Sequence, residues 1–475
     1  MVGLADVAGM KYRRTIGTPL LEGSTKILLL GAGELGKEIV VEAQRLGVET
    51  ITLDRYDSPP AAQVAHRHYT LDMRDGRALK AIVRRERPDA VIPEVEAIDT
   101  DALVELEEEG FFIVPAATAT KTTMDRLLLR RLAAERAGVP TSRYVFASSL
   151  DELYEACERV SYPCLVKARM SSGGLGSSVV NGRADVRTAY EVARTKARGF
   201  GGEMIVEEIV RFDFEITELV LARLGDDGRV GLSFLKPVGH VRSGSHYHVS
   251  WQPFVVIDKT TGSSCTRLHT FGGALHRQED ASMRDFLWRS QWDEKFMAAE
   301  VAEEIERQSY DIAGRVVSEL LSERGGLRGL GIFGCELFVK VSDELHKGRP
   351  SVYFNEVSPR PHDTGMVTLV TQDLSEAALH VRAVLGLPIP EVQILTPGAA
   401  HVILASKTDC WAPKFGGVSD ALGVPGVSLR LFGKPVTYAE RRMGLALAIA
   451  GDVEEARIKA MNAAHTVEGG IDYGK

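Results

Sequence analysis

Two carboxylates set inside apolar, strand-like runs constrain this chain more than any other feature. From Gly331 to Thr368 the sequence reads as two short strands around a polar turn. Ile332 to Val339 is mostly apolar, Asp343, Glu344, Lys347, Gly348 and Pro350 occupy the middle, and Val352 to Val357 is apolar again. Glu336 lies in the first run and Glu356 in the second. A hairpin turning near Leu345 and His346 places residues 336 and 356 opposite each other on one side of the ribbon, with Ser358 on the same side, because side chains alternate faces. Like charges so placed, beside apolar neighbours, are unfavourable unless something positive lies between them. A divalent cation fits, and hard oxygen ligands point to magnesium holding nucleotide phosphates. A shifted register is the alternative, and it sends one glutamate to solvent.

A chain of 475 residues has room for two to four domains at roughly 150 residues each. Its net charge of -8 gives no general attraction for nucleic acid or anionic lipid, so an anionic substrate must be held by a local cluster of cations. The five cysteines (Cys157, Cys164, Cys265, Cys335 and Cys410) have no CxxC spacing, which predicts reduced thiols rather than a disulfide frame or zinc site. No apolar run approaches the roughly 18 residues of a membrane span, and the first residues lack the apolar core of a signal peptide. The expectation is a soluble cytoplasmic protein with no nucleic-acid or membrane partner.

Residues 26 to 54 run from the apolar KILLLG through Gly31-Ala32-Gly33-Glu34-Leu35-Gly36, a helical stretch to about Leu46, and a second apolar run ending at Asp54. This is GxGxxG between strand and helix with an acid after the next strand, the pattern of a dinucleotide site. The same glycines serve a tight turn and helix packing without any dinucleotide, and Glu34 sets negative charge where a pyrophosphate would lie. Strands at Ala90 to Pro93 and Phe111 to Pro115, separated by helices, predict a small parallel α/β unit. Glu94 and Glu96 follow the first of these, at a strand's carboxyl end where ligands bind; helix-start acids are the other reading.

Thr123 to Ala137 is helical and basic, with Arg126, Arg130 and Arg131. A strand ending in Lys167 then leads into Ser171, Ser172, Gly173, Gly174 and Gly176 before another strand. Glycines admit close backbone approach to phosphate, serines add donors and the lysine a point charge, so the pattern predicts a phosphate loop, with a surface hairpin as the plain alternative. Met204 to Val210 is a strand carrying Glu207 and Glu208, and Glu215 follows; such acids accept from an adenine amino group or ribose hydroxyls, or mark an exposed edge. Phe254 to Glu294 has little periodicity and reads as an inserted surface loop with a short helix at Ser282 to Trp292 and exposed His269 and His276. Lys295 to Leu321 and Asp373 to Leu385 read as helices, and Gly398 to Ala464 as a small final domain. There Lys434, Arg441 and Arg442 cluster around a turn, a local phosphate site or an ordinary surface turn.

Taken together these segments resemble the ATP-grasp superfamily and, within it, the formate-dependent phosphoribosylglycinamide formyltransferases. The likeness runs from about Leu20 to Val467 apart from the insertion, and rests on an ordered set that includes LLLGAGELGKE, PEVEAI, VPAATATKTTM, YPCLVK, FDFEIT, PVGH, SWQP, EVSPRPHDTGMVTL and RLFGKP. It implies an α/β and α+β, three-domain ATP-grasp architecture. A Rossmann-like pre-ATP-grasp domain spans 1–122, an ATP-grasp domain 123–390 with an insertion about 254–294, and a small C-terminal domain 391–475. The resemblance puts ATP on Arg126, Lys167, Ser172, Gly173, Gly174, Gly176, Ser177, Glu207, Glu208, Ile209, Val210 and Glu215, and magnesium on Glu336 and Glu356. It puts the ribonucleotide amine on Glu34, Leu35, Glu94, Asp363, Lys434, Arg441 and Arg442. The implied reaction is ATP- and magnesium-dependent formylation of glycinamide ribonucleotide by formate through formyl phosphate, without a protein nucleophile, in a homodimer. Two positions depart from the family pattern: Leu175 stands where the family has a lysine, and the segment after PVGH, usually charged, is VRSGSHYHV. A ligase for another acid or amine, or a nucleotide-binding paralogue without turnover, fits the same residues.

Overall fold

The first strand, β1 (Lys26–Leu30), is almost wholly buried, as a run of isoleucine and leucines between two helical layers must be. The computed structural model describes residues 13–170, 176–196, 199–243, 246–254, 256–257, 265–269, 294–323, 326–327 and 329–474. β1 lies between β2 (Glu49–Asp54) and β4 (Ala90–Pro93), with β3 (Arg67–Thr70) at the edge beyond β2, all parallel. The helix α1 (Glu34–Arg45) follows the glycine turn and buries Gly36, Ile39, Val40 and Ala43 on one side. The expected strand at Phe111 to Pro115 does not form. It makes a single parallel bridge, Ile113 to Val91, and Pro115 has no N–H with which to continue a ladder. That leaves β4 as one edge of the sheet, and the opposite edge is β3, whose polar RHYT sequence carries no apolar alternation.

A second sheet is antiparallel, in the order β5 (Tyr144–Ala147), β8 (Gly199–Glu208), β6 (Cys164–Met170), β7 (Ser177–Val180). Two helices, Leu150–Val160 and Val186–Lys196, pack against it around Leu153, Ala156, Val166 and Val206. β6 and β7 pair with Lys167 opposite Ser177, bracketing the glycine loop. Ser172, Gly173, Gly174 and Leu175 lie outside the described residues.

The largest element is a nine-stranded antiparallel sheet. Its main path runs β13 (Arg349–Ser358), β12 (Gly331–Asp343), β9 (Phe214–Leu224), β10 (Val238–Ser243), β11 (His246–Gln252), β14 (Gly398–Leu404), β16 (Arg442–Ile449), β15 (Val427–Leu431). The ninth strand, Val230–Phe234, pairs with the free length of β9. The last strands of the chain thus extend the sheet that carries the hairpin. On β12, Phe333, Cys335, Leu337 and Val339 pack on the long helix α2 (Ala299–Leu321), while Ile332 joins the core on the opposite face. Glu336 shares that opposite face by alternation. Lys295 was expected in the helix; residues Glu294–Ala298 instead pair with Cys265–His269, which also pairs with Val256–Ile257. The stretch read as irregular therefore contains a small three-stranded sheet, and its remainder, with His276 and the expected helix at Ser282 to Trp292, lies outside the described residues. Among the described residues no helix is long and apolar enough to cross a membrane.

Leu337 is fully buried between β12 and α2. Its truncation to alanine should lower the unfolding free energy by about 2–5 kcal/mol in a denaturant titration followed by tryptophan fluorescence; a loss under about 0.5 kcal/mol would contradict this packing.

Candidate active site

The hairpin register places Glu336 directly opposite Glu356. Two irregularities intervene, one between Lys340 and Asp343 and one between Glu336 and Leu337, and the second offsets the first, so the register of Asp343 with Arg349 returns at Glu336 and Glu356. Glu336 is buried, which alone would raise its carboxyl, yet Arg242 and His362 beside it outweigh burial and hold it well below the usual carboxylate range. Arg242 pairs with it, His362 Nε2 lies 2.9 Å from Oε1, and Asn355 Nδ2 donates to Oε2 at 3.3 Å. Glu356 makes no hydrogen bond or ion pair among the described residues, so its oxygens remain available beside those of Glu336. Among those residues no group of three or more His, Cys, Asp or Glu could hold a metal, so a cation here would have two carboxylates and need further oxygens from a ligand.

His362 joins this pair to a second cluster. Gly334 makes that possible, since a Cβ there would stand 2.6 Å from that of His362. The ring lies over the strand with Nδ1 3.1 Å from Asp363 Oδ1. Asp363 pairs with Arg442, Arg442 NH2 is 3.2 Å from Glu34 Oε1, and Lys434 Nζ is 2.9 Å from Glu34 Oε2. Burial would raise the Glu34 carboxyl, but Lys434 and Arg442 bring it to about 2. Arg441 donates to the Val436 carbonyl and lies over the Tyr438 ring, while Leu35 packs beside Tyr247 and Phe432. Residues from α1, from the hairpin's exit and from the last sheet strands thus meet in one cluster of alternating sign.

Glu94 is not a helix-start acid; Asp99 caps the following helix. Its side chain lies against the glycine turn, and at Gly31, with φ +121°, a Cβ would come within 2.4 Å of Glu94 Oε2. That oxygen is buried without a hydrogen-bond partner among the described residues, and burial lifts the carboxyl to about 8. Asp54, the acid a dinucleotide reading assigns to ribose, accepts from Ala32 N at 2.9 Å and so braces the loop. Glu96 pairs with Arg360.

At the second sheet, Lys167 Nζ and Arg130 NH2 each lie 2.6 Å from Glu207, and they overcome burial to hold its carboxyl at about 2. Arg130 also donates to the Phe354 and Asn355 carbonyls at 3.3 and 3.1 Å, tying this sheet to β13. Glu208 pairs with Arg143, Ile209 and Val210 follow the end of β8, and Ser177 opens β7. Arg126 begins a short helix capped by Asp125. Glu215 on β9 is pushed up to about 7 by burial, against the pull of Arg242.

Sequence reasoning did not single out Arg242, His240, His362 or Arg360. Glycine in mid-strand was the available signal, because Gly334 marks a close approach that proves to be His362. His240 closes the PVGH motif and Arg242 lies in the atypical segment that follows it, where no local pattern identifies partners on β12 and past β13.

Family models match along the chain: the ribonucleotide synthetase preATP-grasp domain over 24–123, the ATP-grasp domain over 132–268 and 289–377, and the PurT C-terminal domain over 398–467. A formate-dependent phosphoribosylglycinamide formyltransferase of Methanocaldococcus jannaschii is 48% identical over 452 residues, 95% of this chain and 99% of the relative. The Pyrococcus horikoshii protein of the same name is 46% identical, over 97% of this chain and 95% of its own. This chain belongs to the formate-dependent phosphoribosylglycinamide formyltransferase family. It is an enzyme of the ATP-grasp type. Among solved structures, glycinamide-RNase-transformylase T from Mycobacterium tuberculosis aligns with TM-score 0.65 and 29% identity over 93% of this chain and 99% of its own. The ATP complex of a carboxyaminoimidazole ribonucleotide synthase from Aspergillus clavatus shares the fold, with TM-score 0.72 at 22% identity over 94% and 99% of the two chains.

In this family member Glu94 provides a test by pH. Between about 4.5 and 8 the folded chain keeps a proton on Glu94 that the unfolded chain releases, so this group's contribution to stability falls as pH rises. The stability of Glu94→Gln relative to the unmodified protein should therefore improve from about pH 5 to 8, by about 1 kcal/mol per pH unit in urea titrations. A pH-independent difference would contradict the assignment.

Proposed function

We propose that this enzyme formylates glycinamide ribonucleotide with formate and ATP, through formyl phosphate, giving formylglycinamide ribonucleotide, ADP and phosphate. The observation that carries this reading is the mixed cluster of Glu34, Lys434, Arg442 and Asp363, joined by His362 to the facing glutamates. A substrate bearing both an ammonium and a phosphate suits such alternation, with Glu34, Glu94 and Asp363 toward the amine and Lys434, Arg441 and Arg442 toward the phosphate. ATP lies along Arg126, Lys167, the loop Ser172 to Ser177, Glu207 to Val210 and Glu215. Glu336 and Glu356 would hold magnesium. When bound, the ion neutralises charge on the transferring phosphoryl group.

A formate oxygen attacks the γ-phosphorus and ADP leaves; the substrate amine then attacks the formyl carbon and phosphate leaves. No protein nucleophile takes part. The protein contributes alignment and charge neutralisation by Lys167 and the arginines. A cytoplasmic homodimer, divided as 1–122, 123–390 and 391–475, belongs to this proposal on the strength of the sequence resemblance.

ADP release by the purified protein with magnesium and ATP should require formate and glycinamide ribonucleotide together. Release with formate that is indifferent to the amine would point to another acceptor, and absence of turnover under every condition would contradict the proposal. Glu356→Gln should lose at least about a hundredfold in kcat with an unchanged circular dichroism spectrum; full activity would remove the metal assignment. Arg441→Ala should raise the KM of the ribonucleotide about tenfold or more while leaving that of ATP within about twofold, and an equal effect on both would count against the phosphate site.

A further inference from the structure

The two half-sites leave a gap that β10 fills. This strand lies in the middle of the sheet between β9 and β11, with His240 opposite Glu215 on one side and Ser250 on the other. Arg242 follows two residues later, after a register shift at Val241. One NH2 of Arg242 pairs with Glu336 and lies 3.9 Å from Asp363 Oδ1, so its guanidinium stands between the metal-side glutamate and the amine-side aspartate. Its Nε is cut off from solvent and has no acceptor among the described residues.

His240 presents a second such atom. The residue is 1% exposed, and Nδ1 lies 3.3 Å from Thr217 Oγ1. Thr217 Oγ1 accepts from Thr364 Oγ1 at 2.7 Å, which leaves the Thr217 hydroxyl proton for His240 Nδ1. Burial, helped by Arg242, keeps the ring neutral, with its titration brought down to about 3. The single ring proton then resides on Nε2, which is also buried without a partner among the described residues. A buried donor left unpaired is costly, and two on one strand beside the reacting groups call for an acceptor that arrives with a ligand.

We propose that Arg242 and His240 seat the small carboxylate substrate, Arg242 Nε–H and His240 Nε2–H each donating to one of its oxygens. A planar anion with two acceptor oxygens matches two donors better than a spherical one. In this seat the carboxylate lies between Glu336 and Asp363, between the phosphoryl donor and the amine that reacts next. The His240 ring, buried and held at Nδ1, bounds this seat, so the acid it takes is a small one. The inference rests on formate being the acid, as proposed above.

The test is ADP release by the full-length protein at saturating magnesium, ATP and glycinamide ribonucleotide, with formate varied. Arg242→Lys, which keeps a cation beside Glu336 but loses the Nε donor, and His240→Ala should each raise the KM of formate about tenfold or more. The KM values of ATP and ribonucleotide should stay within about twofold, a split that general damage to the site would not produce. His240→Ala should also improve acetate relative to formate. His240→Gln, which keeps a donor near the Nε2 position, should recover much of the formate KM, and it is the variant to read should His240→Ala fail to fold. An unchanged formate KM, or a parallel rise for all three substrates, overturns the seat while leaving the proposed reaction standing. A lack of formate dependence in the unmodified protein overturns both.

Discussion

Two acids facing each other across a hairpin, Glu336 buried and Glu356 half-buried, set the terms for everything built around them. The Glu336–Glu356 pairing is fixed by backbone register, and register in turn is fixed by the apolar face of β12, whose Phe333, Cys335, Leu337 and Val339 must meet α2. A slip of one residue would move that set off the core, so the acidic pair is held in place by the whole of the packing behind it. Charge compensation then determines the neighbours. Arg242 and His362 lie against Glu336, while Glu356 is left open on the same ribbon.

From that pair the polar groups form a continuous path. His362 meets Glu336 with Nε2, its Nδ1, bonded to Thr364, lies 3.1 Å from Asp363, and Asp363 leads through Arg442 to Glu34 at the start of α1. Arg130 makes the corresponding tie on the other side, from Glu207 to the carbonyls of β13. The ribbon is thereby joined to the glycine-loop sheet, to the first parallel sheet and to the strands at the end of the chain. On the proposed reading both substrates are sensed by one rigid element, an arrangement suited to a reaction whose acyl phosphate must meet the amine before water does.

Much of this was legible in the sequence, and what was missed has physical reasons. Alternation in two short runs with a polar turn between them specified the hairpin and the facing of residues 336 and 356. GxGxxG specified the strand–turn–helix at β1 and α1 but not its use, because glycine at position 31 serves close approach of Glu94 as well as it would serve a pyrophosphate. Phe111 to Pro115 looked like a strand on apolarity alone, and Arg67–Thr70 did not look like one, since an edge strand needs no apolar face on its open side. Arg242, His240 and His362 owe their significance to partners distant in sequence, which no local period encodes. The cations of the last strands were visible as a cluster, but their pairing with Glu34, some four hundred residues earlier, follows only from the shared sheet and the packing of α1 beside it.

The central claim is that the hairpin couples the two half-sites through His362. Titration calorimetry of glycinamide ribonucleotide, with and without magnesium and a non-hydrolysable ATP analogue, measures that coupling directly. In the unmodified protein the nucleotide should change ribonucleotide affinity by at least about fivefold, and in His362→Ala the change should shrink below about twofold. Equal coupling in the two proteins would contradict the account.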